Sequence, residues 1–182
     1  SLPGTLKRSE GSAAIGDAAI DAAHDNAGLT YDYFSTEQGR DSWDGAGATM
    51  VSTAHYSVNY DNAFWNGSQM TYGDGGTYFR PLSLALDVVA HEFGHGIDDK
   101  TPGGISRGNT QEFVADTFGT ATEFYANNPA DPADYTIGEE INLVGSGPIR
   151  DMSNPGNVGD PSCYSSSIPS AELSRYSTPP MS

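Results

Sequence analysis

The sequence predicts an α+β fold, in which a twisted antiparallel β-sheet is followed by two packed helices and a long loop-rich segment. Between Gly28 and Trp65, aromatic and polar residues alternate and are interrupted by Gly, Asp and Asn, which is a strand pattern. From Pro81 the apolar residues recur with the 3.6-residue period of helices. From Asn128 onward Pro, Gly, Ser and Asn dominate, which predicts irregular structure.

The first predicted element is an amphipathic helix over residues 12–27. Apolar residues recur there at helical spacing, and Gly28 ends the pattern; they are Ile15, Ala18, Ala19, Ala22 and Ala23. The strands of the sheet are expected to follow, with residues 73–76 (GDGG) as a turn between two of them.

Two further helices are predicted after the sheet. Ser83 can cap a helix that runs to about Asp98, and Asn109 or Thr110 can cap a second that runs to about Asn127. The segment PGG at 102–104 excludes helix between them. We therefore divide the chain into a β-rich lobe with one early helix (1–82), a helix pair (83–127) and an irregular C-terminal segment (128–182).

The composition excludes several classes of function. The 182 residues include 24 acidic and 8 basic side chains, a formal net charge of −16, so a surface that binds nucleic acid is not expected. No run of about 18 apolar residues is present, and no transmembrane helix is expected. The single cysteine, Cys163, has no partner for an internal disulfide. We expect a secreted, extracellular protein from which a signal and a pro-segment have been removed.

The clearest chemical motif is HEFGH at residues 91–95. On a helix, positions i and i+4 share one face, so His91 and His95 can reach the same metal ion while Glu92 stands beside them. The alternative is a chance match, because ordinary frequencies of His and Glu produce such a pentapeptide in about one chain in a few hundred.

The second helix supplies carboxylates in a matching register. Two helices joined by a short turn pack antiparallel, so facing residues have a constant sum of residue numbers. His95 with Glu112 and His91 with Asp116 give the same sum. Glu112 is then the third zinc ligand, which leaves a fourth position open, as in catalytic zinc sites. Asp116 would accept the N–H of His91, and Gln111 could do the same for His95.

Acidic residues continue along the same two helix faces. Asp87 lies one turn before His91, and Glu123 lies three turns after Glu112, so the two approach each other in the antiparallel register. Four more acidic residues follow in the adjoining loop, namely Asp131, Asp134, Glu139 and Glu140. Carboxylates that converge repel one another unless a cation lies among them, and an oxygen-only cluster suits calcium. The alternative is a solvated acidic surface.

Seven segments together resemble the thermolysin-type zinc metalloproteases. They are YDNAFWNG at 60–67, YGDG at 72–75, DVVAHE at 87–92, QEFVADTFGT at 111–120, EFYAN at 123–127, RDMS at 150–153 and GDP at 159–161. The likeness runs in unbroken order over roughly residues 15–170. It implies the N-terminal lobe of that fold, with the two zinc-binding helices.

The resemblance implies a secreted endopeptidase with one catalytic zinc and at least one structural calcium. The zinc is held by His91, His95 and Glu112, the zinc-bound water is the nucleophile, and Glu92 is the general base. The family's calcium site corresponds to four carboxylates, Asp87, Glu123, Asp134 and Glu139.

The resemblance also implies how a peptide or protein substrate binds. The substrate lies antiparallel to an edge strand at Asn62, Ala63 and Trp65, and Arg150 donates to the carbonyl next to the scissile bond. Six apolar residues are expected to line the pocket beyond that bond, namely Phe79, Leu82, Val88, Ile137, Ile141 and Ile149. This predicts cleavage on the amino side of bulky hydrophobic residues.

The chain departs from the family pattern at three places. Ser106 stands where the family usually has a tyrosine near the oxyanion, and Thr136 replaces an acidic calcium ligand. The family's helical C-terminal half, with a histidine that stabilises the tetrahedral intermediate, has no counterpart, and residues 173–182 do not resemble it. Two alternatives follow. Either a separate C-terminal polypeptide completes the cleft, or the chain is a truncated, catalytically impaired relative that binds zinc and calcium as a non-enzymatic or regulatory fragment.

Overall fold

The computed structural model describes residues 1–108, 110–145 and 147–162, so the predictions about Asn109, Cys163 and residues 173–182 lie outside the described residues. The fold is α+β, as predicted. The three α-helices are α1 (Ala18–Gln38), α2 (Leu86–Lys100) and α3 (Gln111–Ala126). The strands are β1 (Ser52–Thr53), β2 (Ala63–Trp65), β3 (Met70–Tyr72), β4 (Thr136–Ile137) and β5 (Arg150–Asp151), with 3-10 turns at Leu82–Leu84 and Pro155–Val158.

Helix α1 is longer than the sequence predicts. The carboxylate of Asp17 caps its first turn by accepting the N–H groups of Ala19 and Ile20. The helix continues through Gly28 and ends only where Gly39 adopts a left-handed φ of 60°. The predicted end at Gly28 and the assignment of Tyr31, Tyr33 and Phe34 to the sheet are therefore wrong. Tyr33 and Phe34 are buried because they extend the face that Ala19, Ala23 and Ala27 begin.

The main sheet has three short strands in the order β1–β3–β2. The pair β2–β3 is antiparallel as predicted, but β1 pairs with β3 in parallel, so the sheet is mixed. Strand β2 is an edge strand. This small sheet packs against the helices, and Met70 and Tyr72 of its central strand are fully buried.

Residues 73–76 do not form the predicted turn between two strands. The N–H groups of Gly73 and Gly75 donate to the carbonyls of Asn62 and Tyr60 at 3.0 and 3.1 Å, so the segment continues beside the chain that leads into β2. A Cβ on Gly75 would lie 2.0 Å from the carbonyl oxygen of Phe79, and its φ is +66°. Glycine is required there because the chain passes too close for any side chain.

Helix α2 begins at Leu86 rather than after Ser83. The hydroxyl of Ser83 does not cap it and instead donates to the carbonyl of Ala19 at 2.8 Å, which joins the 3-10 turn to α1. Helix α3 ends near Asn127, as predicted. Thr110 precedes α3, but its hydroxyl bonds to Arg107 rather than to the first turn of the helix.

Helices α2 and α3 pack closely and run in opposite directions. Small residues set their separation: a Cβ on Gly94 would lie 3.2 Å from the Cα of Ala115, and a Cβ on Gly119 would lie 2.7 Å from the carbonyl oxygen of Asp87. Because the second distance is shorter than any ordinary carbon–oxygen contact, only glycine fits at position 119 at this separation.

The core gathers residues from α1, the sheet, α2 and the C-terminal segment. Phe34 contacts Phe93 and Phe118 with ring centroids 5.2 and 4.9 Å apart, and Ile141 joins the same cluster. The segment after α3 is mostly irregular, as predicted, apart from the two-residue pair β4–β5 and the bridge between Phe79 and Asn142. In the described part of the chain no helix is long and apolar enough to cross a membrane. The three-part division of the chain stays a prediction.

Candidate metal centre

The predicted zinc ligands converge between α2 and α3. His91 Nε2 and His95 Nε2 are 3.0 Å apart, and each lies 3.3 Å from an oxygen of Glu112. The three side chains are held there by helix geometry, since His91 and His95 lie one turn apart on α2 and Glu112 is in the first turn of α3. The predicted antiparallel register is thus confirmed.

Asp116 fixes the tautomer of His91. Its Oδ1 lies 2.7 Å from His91 Nδ1, and because a carboxylate only accepts, Nδ1 carries a proton; Nε2 faces His95 and Glu112 and can bind a metal once it has released its own proton. Arg150 holds Asp116 in turn, with Nε and Nη2 each 2.6 Å from a carboxylate oxygen. Two imidazole nitrogens and a carboxylate are a donor set that fits zinc.

The pKa values of these side chains report how strongly they are coupled. Burial acts to lower the pKa of His91, but its hydrogen bonds with Asp116 and Glu112 outweigh burial and raise that pKa to about 10. Burial acts to raise the pKa of Glu112, but the two histidines hold it far below its usual range. Burial also acts to raise the pKa of Asp116, but the charge of Arg150 outweighs burial and the pKa is lowered. Both carboxylates are therefore ionised, as metal binding and support require.

Glu92 lies beside this group and is buried. Burial raises the pKa of its carboxyl above the ordinary value, while the nearby histidines act in the opposite direction. Tyr72, fully buried on β3, is close enough that burial and then the charge of Glu92 raise the pKa of its hydroxyl. The side chain of Ser52, beside that hydroxyl, acts to lower the same pKa. Sequence reasoning missed Tyr72, since a strand tyrosine gives no signal of what its tip faces.

Two predicted supporting residues behave differently. Gln111 is exposed and makes no described hydrogen bond to His95, so the structure does not place it as the partner of that ring. Ser106 donates its hydroxyl to Asp98 at 2.5 Å, and Asp98 also accepts the N–H groups of Ile105 and Ser106. Ser106 therefore anchors the loop between α2 and α3.

Strand β2 presents an open edge. Asn62 bonds to Gly73 on β3's side, and Asn66 bonds to Gln69. Because backbone groups alternate along an antiparallel pair, Phe64 also faces β3, and the N–H and C=O groups of Ala63 and Trp65 point away from it. Outward-facing backbone groups at every second residue are the pattern that an added strand needs.

The six predicted pocket residues are placed unequally. Leu82, Val88, Ile137 and Ile141 are buried, whereas Phe79 and Ile149 are half-buried and reach the surface. Ile149 packs against Gly138, where any Cβ would lie 2.4 Å from its Cδ1. The structure therefore places four of the six in the core and two at its rim.

A second cluster of carboxylates lies at the other end of the helix pair. One oxygen each from Glu123, Asp131 and Glu139 lie within 4.8 Å of one another. Burial, and then the charges of Asp87 and Glu139, raise the pKa of Glu123 to about 9. Burial also raises the pKa of Asp87 to about 7. One oxygen of Glu123 and one of Glu139 are buried without a hydrogen-bond partner in the described residues. Unpartnered, mutually repelling oxygens are what a hard cation would satisfy.

The composition of this cluster differs from the prediction at two of four positions. Asp134 is not in the group of three, because its Oδ1 accepts the N–H and hydroxyl of Thr136. Asp87 is close, but its oxygens accept the N–H groups of Val88 and Gly138. Asp131 occupies the position in the cluster that was predicted for Asp134. In the sequence, its place in the acidic loop was the one indication of this role.

Comparison with known proteins places the chain among metallopeptidases. A family model described as the thermolysin metallopeptidase catalytic domain matches residues 4–99, and a second, described as the thermolysin metallopeptidase alpha-helical domain, matches residues 105–175. Thermolysin of Alicyclobacillus acidocaldarius subsp. acidocaldarius is 48% identical over 156 residues, which cover 82% of this chain and 28% of that protein.

Two further relatives agree. An extracellular metalloprotease of Pectobacterium carotovorum subsp. carotovorum is 41% identical over 87% of this chain and 48% of its own length. The solved precursor of protealysin, a metalloproteinase from Serratia proteamaculans, superposes with a TM-score of 0.75 at 39% identity, covering 84% of this chain and 50% of that one. The chain therefore spans between about a quarter and a half of the length of these relatives.

Proposed function

Because the chain belongs to the thermolysin metallopeptidase family, we propose that it is part of a secreted zinc endopeptidase that cleaves on the amino side of bulky hydrophobic residues. The observation that carries this proposal is the convergence of His91, His95 and Glu112, with Glu92 buried beside them. The name of the Pectobacterium relative, an extracellular metalloprotease, supports secretion.

Zinc held by these three ligands would polarise a peptide carbonyl and make a coordinated water acidic. Glu92 would accept the proton of the attacking water and deliver it to the leaving amine. Its burial favours this role, since a raised carboxyl pKa brings the base nearer to the pH at which it must both take and release a proton.

Asp116 and Arg150 would keep the site in register. Asp116 holds the His91 ring so that Nε2 is the ligand atom, and two of the guanidinium nitrogens of Arg150 are committed to Asp116. The third nitrogen, Nη1, is left for a substrate carbonyl next to the scissile bond. Arg150 would thus contact the substrate and, through Asp116, also hold the His91 ring in place.

The substrate would add a strand to the open edge of β2. Ala63 and Trp65 offer outward N–H and C=O groups, and Trp65 packs on α2 within 3.2 Å of the position of a Cβ on Gly96. This contact sets the edge strand against the helix that carries the histidines. The half-buried Phe79 and Ile149 would meet the apolar side chain that follows the cleaved bond.

We propose that the cleft is completed by a helical lobe on the outer face of α3. Phe113 and Phe124 are 62% and 49% exposed on that helix, and Tyr135, which stacks near Phe124, is 56% exposed. A cavity of about 270 Å³ lies among Thr117, Thr120, Ala121, Phe124, Tyr135 and Met152. Large exposed aromatics beside such a cavity indicate a surface that another part of the enzyme, or a separate polypeptide, covers.

The test of the proposed function is chelator-sensitive hydrolysis. The zinc-loaded chain, alone or together with an added C-terminal lobe, is expected to hydrolyse casein or a furylacryloyl dipeptide, and 1,10-phenanthroline is expected to stop the reaction. A zinc-binding chain with no hydrolysis alone or with an added C-terminal lobe would favour the second candidate, a non-enzymatic zinc- and calcium-binding fragment. The unpartnered oxygens of Glu123 and Glu139 support that candidate, because they account for ion binding without cleavage.

We also propose that the carboxylate cluster binds calcium through Glu123, Asp131 and Glu139, with Asp87 and Asp134 beside them. A calcium ion would neutralise the repulsion that raises the pKa of Glu123. Since the ion binds only the folded loop, it would stabilise the segment that follows α3.

Calcium removal is expected to raise protease sensitivity over residues 128–145. At a concentration about 100 times the Kd, calcium contributes about 2.7 kcal/mol to the stability of the bound form, so chelation should speed cleavage there by up to about 100-fold. Limited proteolysis followed by mass spectrometry of the fragments measures the cleavage rate in this segment. Glu123→Gln should show fast cleavage with or without calcium, whereas the control Glu37→Gln, exposed on α1, should behave as the unmodified chain. The same digestion pattern with and without calcium would mean that the cluster is a solvated acidic surface.

A further inference from the structure

His55 joins two parts of the fold that are distant in sequence. It lies in the loop between β1 and β2, with a left-handed φ of 57°. Its Nδ1 is 2.7 Å from Oδ1 of Asp74, in the segment after β3, and its Nε2 is 3.1 Å from Oδ2 of Asp17, the N-cap of α1. Both ring nitrogens thus face a carboxylate.

The chemistry of these contacts determines the protonation of the ring. An ionised carboxylate only accepts hydrogen bonds, and a neutral imidazole has a single N–H. Asp17 also accepts the N–H groups of Ala19 and Ile20, so its oxygens are already oriented as acceptors. Both contacts can be hydrogen bonds only if both ring nitrogens carry protons.

We propose that His55 is held as an imidazolium ion that ties the start of α1 to the segment after β3, and that alkaline pH releases this tie. The segment that contains Asp74 runs beside Tyr60 and Asn62, which lead into β2, so the tie fixes the base of the edge strand as well as the helix. The inference rests on the fold alone and does not depend on the proposed enzymatic activity.

The direction of the pH dependence follows from the groups that face the ring. These are Asp74 in the segment after β3 and Asp17 at the start of α1. The next acidic residue of α1, Asp21, pairs instead with Arg8, which precedes the helix. The hydrogen bond that His55 donates to Asp74 raises the pKa of the ring above the ordinary value of 6.5; burial opposes this effect, and the hydrogen bond to Asp17 adds to it. The stabilisation is therefore fully present below pH 6.5 and is lost as pH rises through the higher pKa of the folded state.

The test is an NMR titration of the histidine rings in the whole chain, loaded with zinc so that His91 and His95 are occupied. Asp17→Asn and Asp74→Asn each remove one charge. Asparagine remains a good N-cap, so Asp17→Asn leaves the first turn of α1 capped and isolates the charge effect. His24 is the internal control, because its described partner is Asp25 rather than either of these carboxylates.

In the unmodified chain, His55 is expected to show protons on both ring nitrogens at pH 7 and a pKa above 6.5. Each single variant should lower that pKa, the double variant should return it to the ordinary range, and the His24 signal should not respond to either change. A His55 pKa at or below 6.5, or one unchanged in the double variant, would overturn the proposal.

Thermal unfolding provides a second readout. His55→Gln is expected to melt about 2–4 °C below the unmodified chain at pH 6, as for two partly exposed ion pairs in a protein of this size, and at the same temperature at pH 10. An equal difference at both pH values would show that the ring acts through packing, and the imidazolium assignment would be wrong.

Discussion

Glutamine in place of Glu92 is expected to leave zinc binding intact and to lower the rate of peptide hydrolysis by about 10²–10⁴-fold. The substitution preserves size and keeps an oxygen in the same place, but an amide cannot accept the proton of the attacking water. Because Glu92 is buried beside the proposed zinc ligands and is not one of them, the substitution should lower activity without lowering zinc content. The measurement is kcat/KM together with zinc per chain, in the assembly that shows hydrolysis.

A matched control for this substitution is Asp99→Asn, which removes a carboxylate from the exposed side of the same helix, where Asp99 pairs with Lys100. It should leave both the rate and the zinc content unchanged. If Glu92→Gln loses zinc, the residue is needed for the metal site rather than for proton transfer, and the assignment as general base fails.

Alanine in place of Glu112 is expected to lower zinc affinity by well over about 100-fold, whereas Asp116→Asn should lower it by only about 10–100-fold. Glu112 would bind the metal directly, because one of its carboxylate oxygens lies 3.3 Å from His91 Nε2 and the other 3.3 Å from His95 Nε2. Asp116 acts on the metal only through the His91 ring, and asparagine can still accept its N–H. Competition titration with a coloured zinc chelator gives both affinities.

Thr117→Ala serves as the control on α3, because Thr117 is exposed and its hydroxyl bonds only to the helix backbone at Phe113. Circular dichroism should show that all three variants remain helical. Equal zinc affinity for the Glu112 variant, the Asp116 variant and the control would mean that the ligand set is wrong.

The convergence of the candidate metal ligands was predictable because helix geometry is regular. The i, i+4 spacing places His91 and His95 together, and the antiparallel rule then assigns Glu112 and Asp116 without any coordinates. The end of α1 was not predictable in the same way. Gly28 marked a stop by composition, but the buried face set by the alanines and completed by Phe34 stabilised the helix through it, since tertiary packing overrides local propensity.

The remaining differences come from loops. Asp131 enters the carboxylate cluster and Asp134 turns to Thr136, a choice that depends on loop backbone rather than on any periodicity. His55 likewise gave no signal, because its two partners lie 38 and 19 residues away along the chain. Sequence patterns predict which residues come together on a regular helix or strand. They do not predict contacts that depend on the path of a loop.

The glycine at position 119 also links the two proposed ion sites. It lets α3 contact the backbone of Asp87, one turn before His91 on α2. The same two helices therefore carry the histidine–glutamate group near one end and contact the acidic loop near the other. A side chain at position 119 that increased the separation of α2 and α3 would therefore move the ligands of both proposed sites apart. If both proposed ions bind, loss of the cation from the acidic loop and loss of the metal from the histidine–glutamate site should therefore occur at the same temperature during heating, and a substitution that stabilises either site should also stabilise the other.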